Sequence, residues 1–290
     1  MNNRAFHFLQ LGLSILIMSS SGVLGRIISL PVPTTIWIRC ALGALALYLF
    51  LKITKSKTFL GWERSFKFIF ASSIFMGAHW LTYFWALKYS NVAIGMLSLF
   101  TYPVITAVLE PLLTKTKFKL PDLILAGIAF TGVFFLVPEY NLENQVTLGI
   151  IFGISSAVLY SLRNIMMKKS VSNHSGVLLM YYQLAIIAVL LLPSIFLFPF
   201  EQQMGVFKLE WFPIVILALY TTATGHTLLV KSFRHFSITA VSIFTCLTPL
   251  FGIFQAYLFI NEKPTNQILI GGSIIMFSVI VESIRSINRN

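Results

Sequence analysis

Near its middle the chain reads Glu139-Tyr140-Asn141-Leu142-Glu143-Asn144-Gln145, an acidic and polar stretch between long apolar runs. So many water-seeking side chains in a row do not belong inside lipid, so the stretch reads as a linker. What lies on either side of it decides the fold. Before it, apolar runs near twenty residues occupy 8–28, 34–52, 66–87, 91–113 and 121–138. After it, they occupy 147–168, 176–198, 211–231, 237–259 and 266–285. Each is about long enough to cross the ~30 Å hydrocarbon core of a bilayer as a helix. The expected fold is an all-α membrane protein of about ten transmembrane helices, divided into a unit over 1–140 and a second over 141–290.

Composition agrees with that reading. Of 290 residues, 57% are hydrophobic and only 10% charged, and the mean hydropathy is +0.85. There is too little polar surface to coat a water-soluble globule. The net charge of +12 is scattered through short loops and builds no basic, aromatic-interleaved surface, so nucleic acid is not an expected partner. Cys40 and Cys246 each stand inside an apolar run, with no CxxC or Cys/His spacing. They read as packing residues rather than a disulfide or metal ligands. Arg4, the apolar stretch from Phe8 to Met18 and Ser19, Ser20 and Ser21 loosely imitate a signal peptide. No small-residue cleavage site follows and the apolar character continues to Ile28, so this segment is expected to stay as the first helix.

Lys and Arg orient the spans, because they favour cytoplasmic loops. Fifteen of the 21 fall on one side, only Lys88, Lys208 and Lys263 on the other, and Arg26, Arg39 and Arg163 within spans. Both termini are therefore expected in the cytoplasm, in an inner or plasma membrane. Five helices per unit is an odd number, so the second unit must enter from the opposite face. Two features recur in the halves: Pro103 and Pro249 each stand fifteen residues after a basic-aromatic pair, Lys88-Tyr89 and Arg234-His235, with Gly127 and Gly271 in the following helices. Inverted repeats of this kind occur in secondary transporters.

With Arg39 in the second helix, Ala86-Leu87-Lys88-Tyr89 running through Asn91-Val92-Ala93 to Leu97-Ser98-Leu99, then Pro103, Gly127 and Gly132, the first half resembles the EamA-type exporters of the drug/metabolite transporter superfamily. The second half carries the resemblance in Pro249, Asn261-Glu262-Lys263-Pro264 and Gly271-Gly272. The resemblance implies a secondary transporter that carries amino acids or related metabolites, often outward, through a cavity between the halves by alternating access. Two departures stand out: Gln183 takes the place of Arg39 in the second half, and Ala256 that of Glu110.

Ionisable residues inside a bilayer are candidates for function. Arg39, roughly 8 Å deep at 1.5 Å per residue and beside Trp37, offers a guanidinium for a carboxylate or phosphate of the solute, or for backbone carbonyls. His79 and His226 take similar places in the third and eighth helices, and Met76, Trp80 and Tyr83 share a face with His79. Pro103 and Pro249 remove backbone donors near Ser98, Thr101 and Tyr102, and near Ser242, Thr245 and Thr248. They read as hinges beside exposed carbonyls, or as kinks satisfied by neighbouring hydroxyls. Glu110 and Arg163 are candidates for proton exchange or ion pairing; Arg26 and Arg163 also read as interfacial anchors. Gly12, Gly95, Gly149, Gly153 and Gly252 read as close-packing points.

Paired catalytic carboxylates, HExxH, GxSxG and a phosphate-binding loop are all missing from the sequence, so neither an enzyme nor an ATP-driven pump is expected, and no cofactor is implied. The expected partners are a small-molecule substrate and the lipid bilayer. A lipid-carrier flippase, with a lateral opening and a basic phosphate pocket, and a scaffold with a filled centre are the remaining readings.

Overall fold

A computed structural model describes residues 3–59, 64–115, 120–136, 141, 143–168, 174–232 and 244–287. The regular elements among them are all helical: α1 (Asn3–Ile27), α2 (Val32–Ile53), α3 (Arg64–Tyr89), α4 (Val92–Leu99), α5 (Tyr102–Thr114), α6 (Leu120–Leu136), α7 (Gln145–Lys168), α8 (Gly176–Leu191), α9 (Phe200–Val215), a wide-turn π segment (Ile216–His226), α10 (Thr227–Ser232), α11 (Leu247–Ile260) and α12 (Asn266–Ile287). The described part of each of the ten expected runs falls on one helix or on helices in series. The pair Arg234-His235, Ser242 and the linker residues Glu139, Tyr140 and Leu142 lie outside the described residues.

The packing has the symmetry of an inverted repeat. Two elements meet their own counterparts in the other half, α2 on α8 and α6 on α12, and the fourth and ninth spans meet where α4 packs on α11. Several further contacts come in exchanged pairs. α3 lies on α7 as the π segment and α10 lie on α1; α4 and α5 lie on α7 as α11 lies on α1; α2 meets the π segment as α8 meets α3. Two five-helix units related by a pseudo-twofold axis produce this pattern. Buried apolar side chains collect along the α2–α8 and α3–α7 contacts, while large apolar groups such as Leu209, Phe196 and Phe259 are 86%, 80% and 74% exposed. An apolar outer surface of this kind is solvated by lipid tails.

Local chemistry explains where helices start and break. Asn91 accepts the Ile94 N–H at 2.9 Å and caps α4, and Ser175 does the same for α8 through Leu178 N–H at 3.2 Å. Pro103 has no N–H for Leu99 O, so the fourth span divides between α4 and α5. Across the break the Thr101 N–H turns to Ser98 O at 3.4 Å. Pro249 stands likewise in the first turn of α11, where a missing N–H costs least. Where α6 meets α12 the backbones touch: a Cβ on Gly132 would come within 2.8 Å of Gly271 O, and one on Gly271 within 2.7 Å of Gly132 O. Only residues without side chains allow this approach.

The expected boundaries need two corrections. The seventh span finishes in a 3-10 turn over Leu192–Phe196, with Pro193 near its start. The eighth begins earlier than 211: α9 is helical from Phe200, with non-helical angles at Glu210 (φ −111°, ψ 16°) and Pro213 inside it. Polar side chains at Glu201, Gln202, Gln203 and Lys208 mask this amphipathic start in a hydropathy profile.

Candidate functional site

Between the halves lies a cavity of about 570 Å³, its open mouth included, lined by side chains from both units. Arg39, His79, Trp80, Tyr83, Tyr102, His226, Thr245 and Thr248, all singled out from sequence, face it, as does Leu99, whose carbonyl Pro103 leaves without its helical donor; so do Ser21, Met96, Phe100 and Tyr160, which were not site candidates. No carboxylate lines it among the described residues.

Arg39 is the eighth residue of α2, on the face turned to α8 and the π segment, and is fully buried. Its guanidinium carbon lies 4.2 Å from the centroid of the Trp80 ring and 5.5 Å from that of Phe84. Nε donates to Thr222 Oγ1, and that hydroxyl in turn donates to Leu217 O at 2.7 Å across the wide π turn. Nη1 is buried with no partner. Taking a cation out of water costs several kcal/mol, and a desolvated cation–π contact returns about 2. The positive charge is therefore uncompensated, with an unused N–H donor beside the cavity.

His79 is fixed from α7. Ser156 Oγ donates to His79 O at 2.9 Å, which commits the hydroxyl proton, so Oγ accepts from His79 Nδ1 at 2.7 Å. The Ser156 carbonyl, an acceptor only, stands 3.3 Å from the same nitrogen. These partners assign the imidazole proton to Nδ1 and leave Nε2 an acceptor. The ring stacks on Tyr83 at 6.2 Å and tilts against Tyr160 at 4.6 Å. His226 meets the Trp80 ring in a T-shaped contact at 5.7 Å, so Trp80 is in contact with both Arg39 and His226. Tyr102 and Thr245 bridge the two proline breaks through their hydroxyls at 3.3 Å. Leu99 and Thr245, each four residues before its proline, both line the cavity.

Other candidates are placed elsewhere. Trp37 is half-buried on α2 and does not line the cavity. Ser98 is fully buried against Gly153 of α7, and the Thr101 hydroxyl turns back to Ser98 O at 2.7 Å. Glu110 lies partly buried in α5, away from the cavity. Arg163 is 7% exposed, which corrects its reading as an interfacial anchor: α7 turns it inward against α8. There it donates to Asn164 Oδ1 at 3.0 Å and to Gln183 Oε1 at 2.7 Å, and Gln183 Nε2 continues to Ser72 Oγ at 3.0 Å.

A second polar cluster lies at one end of the bundle. Arg26, read from sequence as an anchor, pairs through Nε with Glu262 Oε1 at 3.2 Å and donates from Nη1 to Leu87 O and Lys88 O at 3.0 and 2.9 Å. Glu262 Oε2 accepts the Val92 N–H at 2.9 Å, placing a carboxylate at the positive end of α4. Lys88 Nζ donates to Arg26 O and Ile28 O. Thus α1, the α3–α4 turn and the end of α11 are tied together across the halves. Sequence offered one clue, the acidic residue directly after the ninth span.

The chain matches the model of the EamA-like transporter family twice, over residues 8–137 and 147–284. It is 24% identical over 200 residues to an uncharacterised transporter of Archaeoglobus fulgidus, covering 69% of this chain and 70% of that one. With an uncharacterised transporter of Synechocystis sp. it shares 25% identity over 199 residues, 67% of this chain and 59% of the relative. The fold also resembles a protein of known crystal structure, with a TM-score of 0.68, 14% identity and 99% coverage of both chains.

Proposed function

Since the chain belongs to the EamA-like transporter family, and is accordingly a membrane transporter of a small molecule rather than an enzyme, we propose that its cargo is a small organic solute bearing a carboxylate, such as an amino acid or a related metabolite. The observation that carries this reading is Arg39: a buried guanidinium with a partnerless Nη1, on the wall of a cavity that no described carboxylate lines. A carboxylate entering there gains a charge-assisted hydrogen bond and supplies the missing counter-charge. The rings of Trp80, Tyr83, Phe100, Tyr102 and Tyr160 suit an apolar portion of the solute, and the Nε2 lone pair of His79 suits one of its N–H groups.

On this reading the units 1–140 and 141–290 alternate between two conformations about the proline breaks at Pro103 and Pro249, export is the net direction, and both termini face the cytoplasm of a plasma membrane. The test is reconstitution. Purified protein in liposomes is offered labelled amino acids and small carboxylates, with and without a pH gradient. Uptake of at least one carboxylate-bearing solute above protein-free vesicles is expected, with loss on Arg39→Gln or His79→Ala. Transport that ignores both replacements, or that accepts only solutes lacking a carboxylate, overturns the reading.

A further inference from the structure

We propose that Arg163 is a second anion contact, which meets the same carboxylate-bearing solute when the bundle faces the other way. The inference rests on the transport reading above and extends it to a residue that the cavity does not now include.

Arg39 is the eighth residue of α2 and Gln183 the eighth of α8, and these two helices pack on each other at the pseudo-twofold axis. Both side chains reach the third span of the opposite half, Arg39 to Thr222 and Gln183 to Ser72. Gln183 therefore takes the place of Arg39, and it holds the guanidinium of Arg163 at 2.7 Å. The first half puts Ser19, Ser20 and Ser21 on the matching turn of its first helix and arginine on its second. The second half puts arginine on its first helix and glutamine on its second. Each half thus supplies one buried guanidinium to equivalent ground, from different helices.

Every acceptor that Arg163 reaches, Asn164, Gln183 and the Met180 sulfur, is neutral, and Nε is buried without a partner. A purely structural arginine at this depth calls for a carboxylate, and the one ion pair among the described residues is Arg26 with Glu262. The Arg163 guanidinium lies 6.0 Å from the ring of Tyr160, which itself lines the cavity. When inverted halves exchange conformations, a group exposed in one half becomes covered and its counterpart in the other becomes exposed. Arg39 lines the cavity now; Arg163 takes its turn after the exchange.

The test measures the charge beside Tyr160 without depending on cargo. On a background of Cys40→Ala and Cys246→Ala, Tyr160→Cys is labelled in proteoliposomes by an anionic and by a cationic methanethiosulfonate. The anionic reagent is expected to react faster, and Arg163→Gln to lower the ratio of rates at least about threefold, whereas Arg163→Lys retains it. A ratio indifferent to Arg163→Gln overturns the proposal. L-Phenylalanine uptake from each face then separates it from the reading beneath it: Arg163→Gln should raise the half-saturation concentration from one face and Arg39→Gln from the other. If Arg39→Gln acts from both faces and Arg163→Gln from neither, Arg163 is structural and the proposed function stands. If neither acts, the proposed function fails as well.

Discussion

The third span of each half makes the clearest comparison in the molecule. In the first half α3 runs unbroken over 26 residues, and Ser156 binds both the ring and the carbonyl of His79. In the second half the same span is kinked at Glu210, carries Pro213 and opens into a π segment of 11 residues. His226, at the corresponding place, meets Trp80 in a T-shaped contact, and its side chain makes no hydrogen bond among the described residues. One wall of the cavity is pinned, and the other is built in a helix form that proteins use sparingly and often near functional sites. On the proposed cycle, the pinned wall holds the geometry of the site while the wide-turn wall gives way.

The replacement expected to do most is Arg39→Gln, because it makes α2 match α8 at Gln183 and removes the one charge that distinguishes them at that level. A hydrogen bond to a charged group is worth about 1.5–3 kcal/mol, so initial rates of solute uptake should fall roughly 10- to 100-fold at unchanged protein density in the vesicles. Retention of more than half the wild-type rate would mean that the asymmetry of the two halves has no bearing on cargo.

Next in size, His79→Ala should differ from His226→Ala. The first removes the donor to Ser156 and the stack on Tyr83 and Tyr160, a loss of about 1–2 kcal/mol, read as a lower unfolding temperature in detergent together with slower transport. The second removes an edge contact and should cost less than half as much. Equal losses would erase the contrast between a pinned and a pliable wall.

Much of this comparison was legible in the sequence, for identifiable reasons. Hydropathy and the Lys/Arg bias mark spans because lipid acts on every residue of a helix, and Pro103 and Pro249 mark breaks because a missing N–H acts at one place. Facing is harder to read. Arg163 stands five residues from the end of α7, and that distance says nothing about its turning toward Gln183. Ser98 and Thr101 adjoin the proline but point at Gly153 and Ser98 O, since α4 lies on α7 at this level. Thr222 carries no signal at all, because it takes a π turn to bring its hydroxyl to Arg39. Tyr160 has one weak sign, its spacing of four from Ser156 on one face of α7.

That π turn supplies the third prediction. Thr222→Val preserves shape and removes the acceptor of Arg39 Nε as well as the bond to Leu217 O. Uptake should slow about two- to fivefold, less than on Arg39→Gln, because the cation itself stays in the cavity and only its positioning is lost. Ser72→Ala, which removes the hydroxyl that Gln183 reaches in the other half, should alter the rate less while Arg39 occupies the cavity. The reverse order would assign the pinned side the larger share in positioning the cation.

The smallest effect concerns the end of the bundle where the halves are joined by an ion pair. Arg26 and Glu262 are 35% and 24% exposed in their side chains, so their direct attraction is worth about 0.2–1 kcal/mol. A double-mutant cycle with Arg26→Gln and Glu262→Gln, read by thermal unfolding, should return a coupling of that size. The charge-exchanged pair, Arg26→Glu with Glu262→Arg, should nevertheless fail to restore wild-type behaviour. Arg26 also donates to Leu87 O and Lys88 O, and Glu262 also accepts from Val92 N–H. An exchanged pair would turn a carboxylate toward two carbonyls and a guanidinium toward an N–H at the positive end of α4. Full rescue would show that the cluster works through charge alone, and that its backbone bonds contribute nothing to holding the first half against the second.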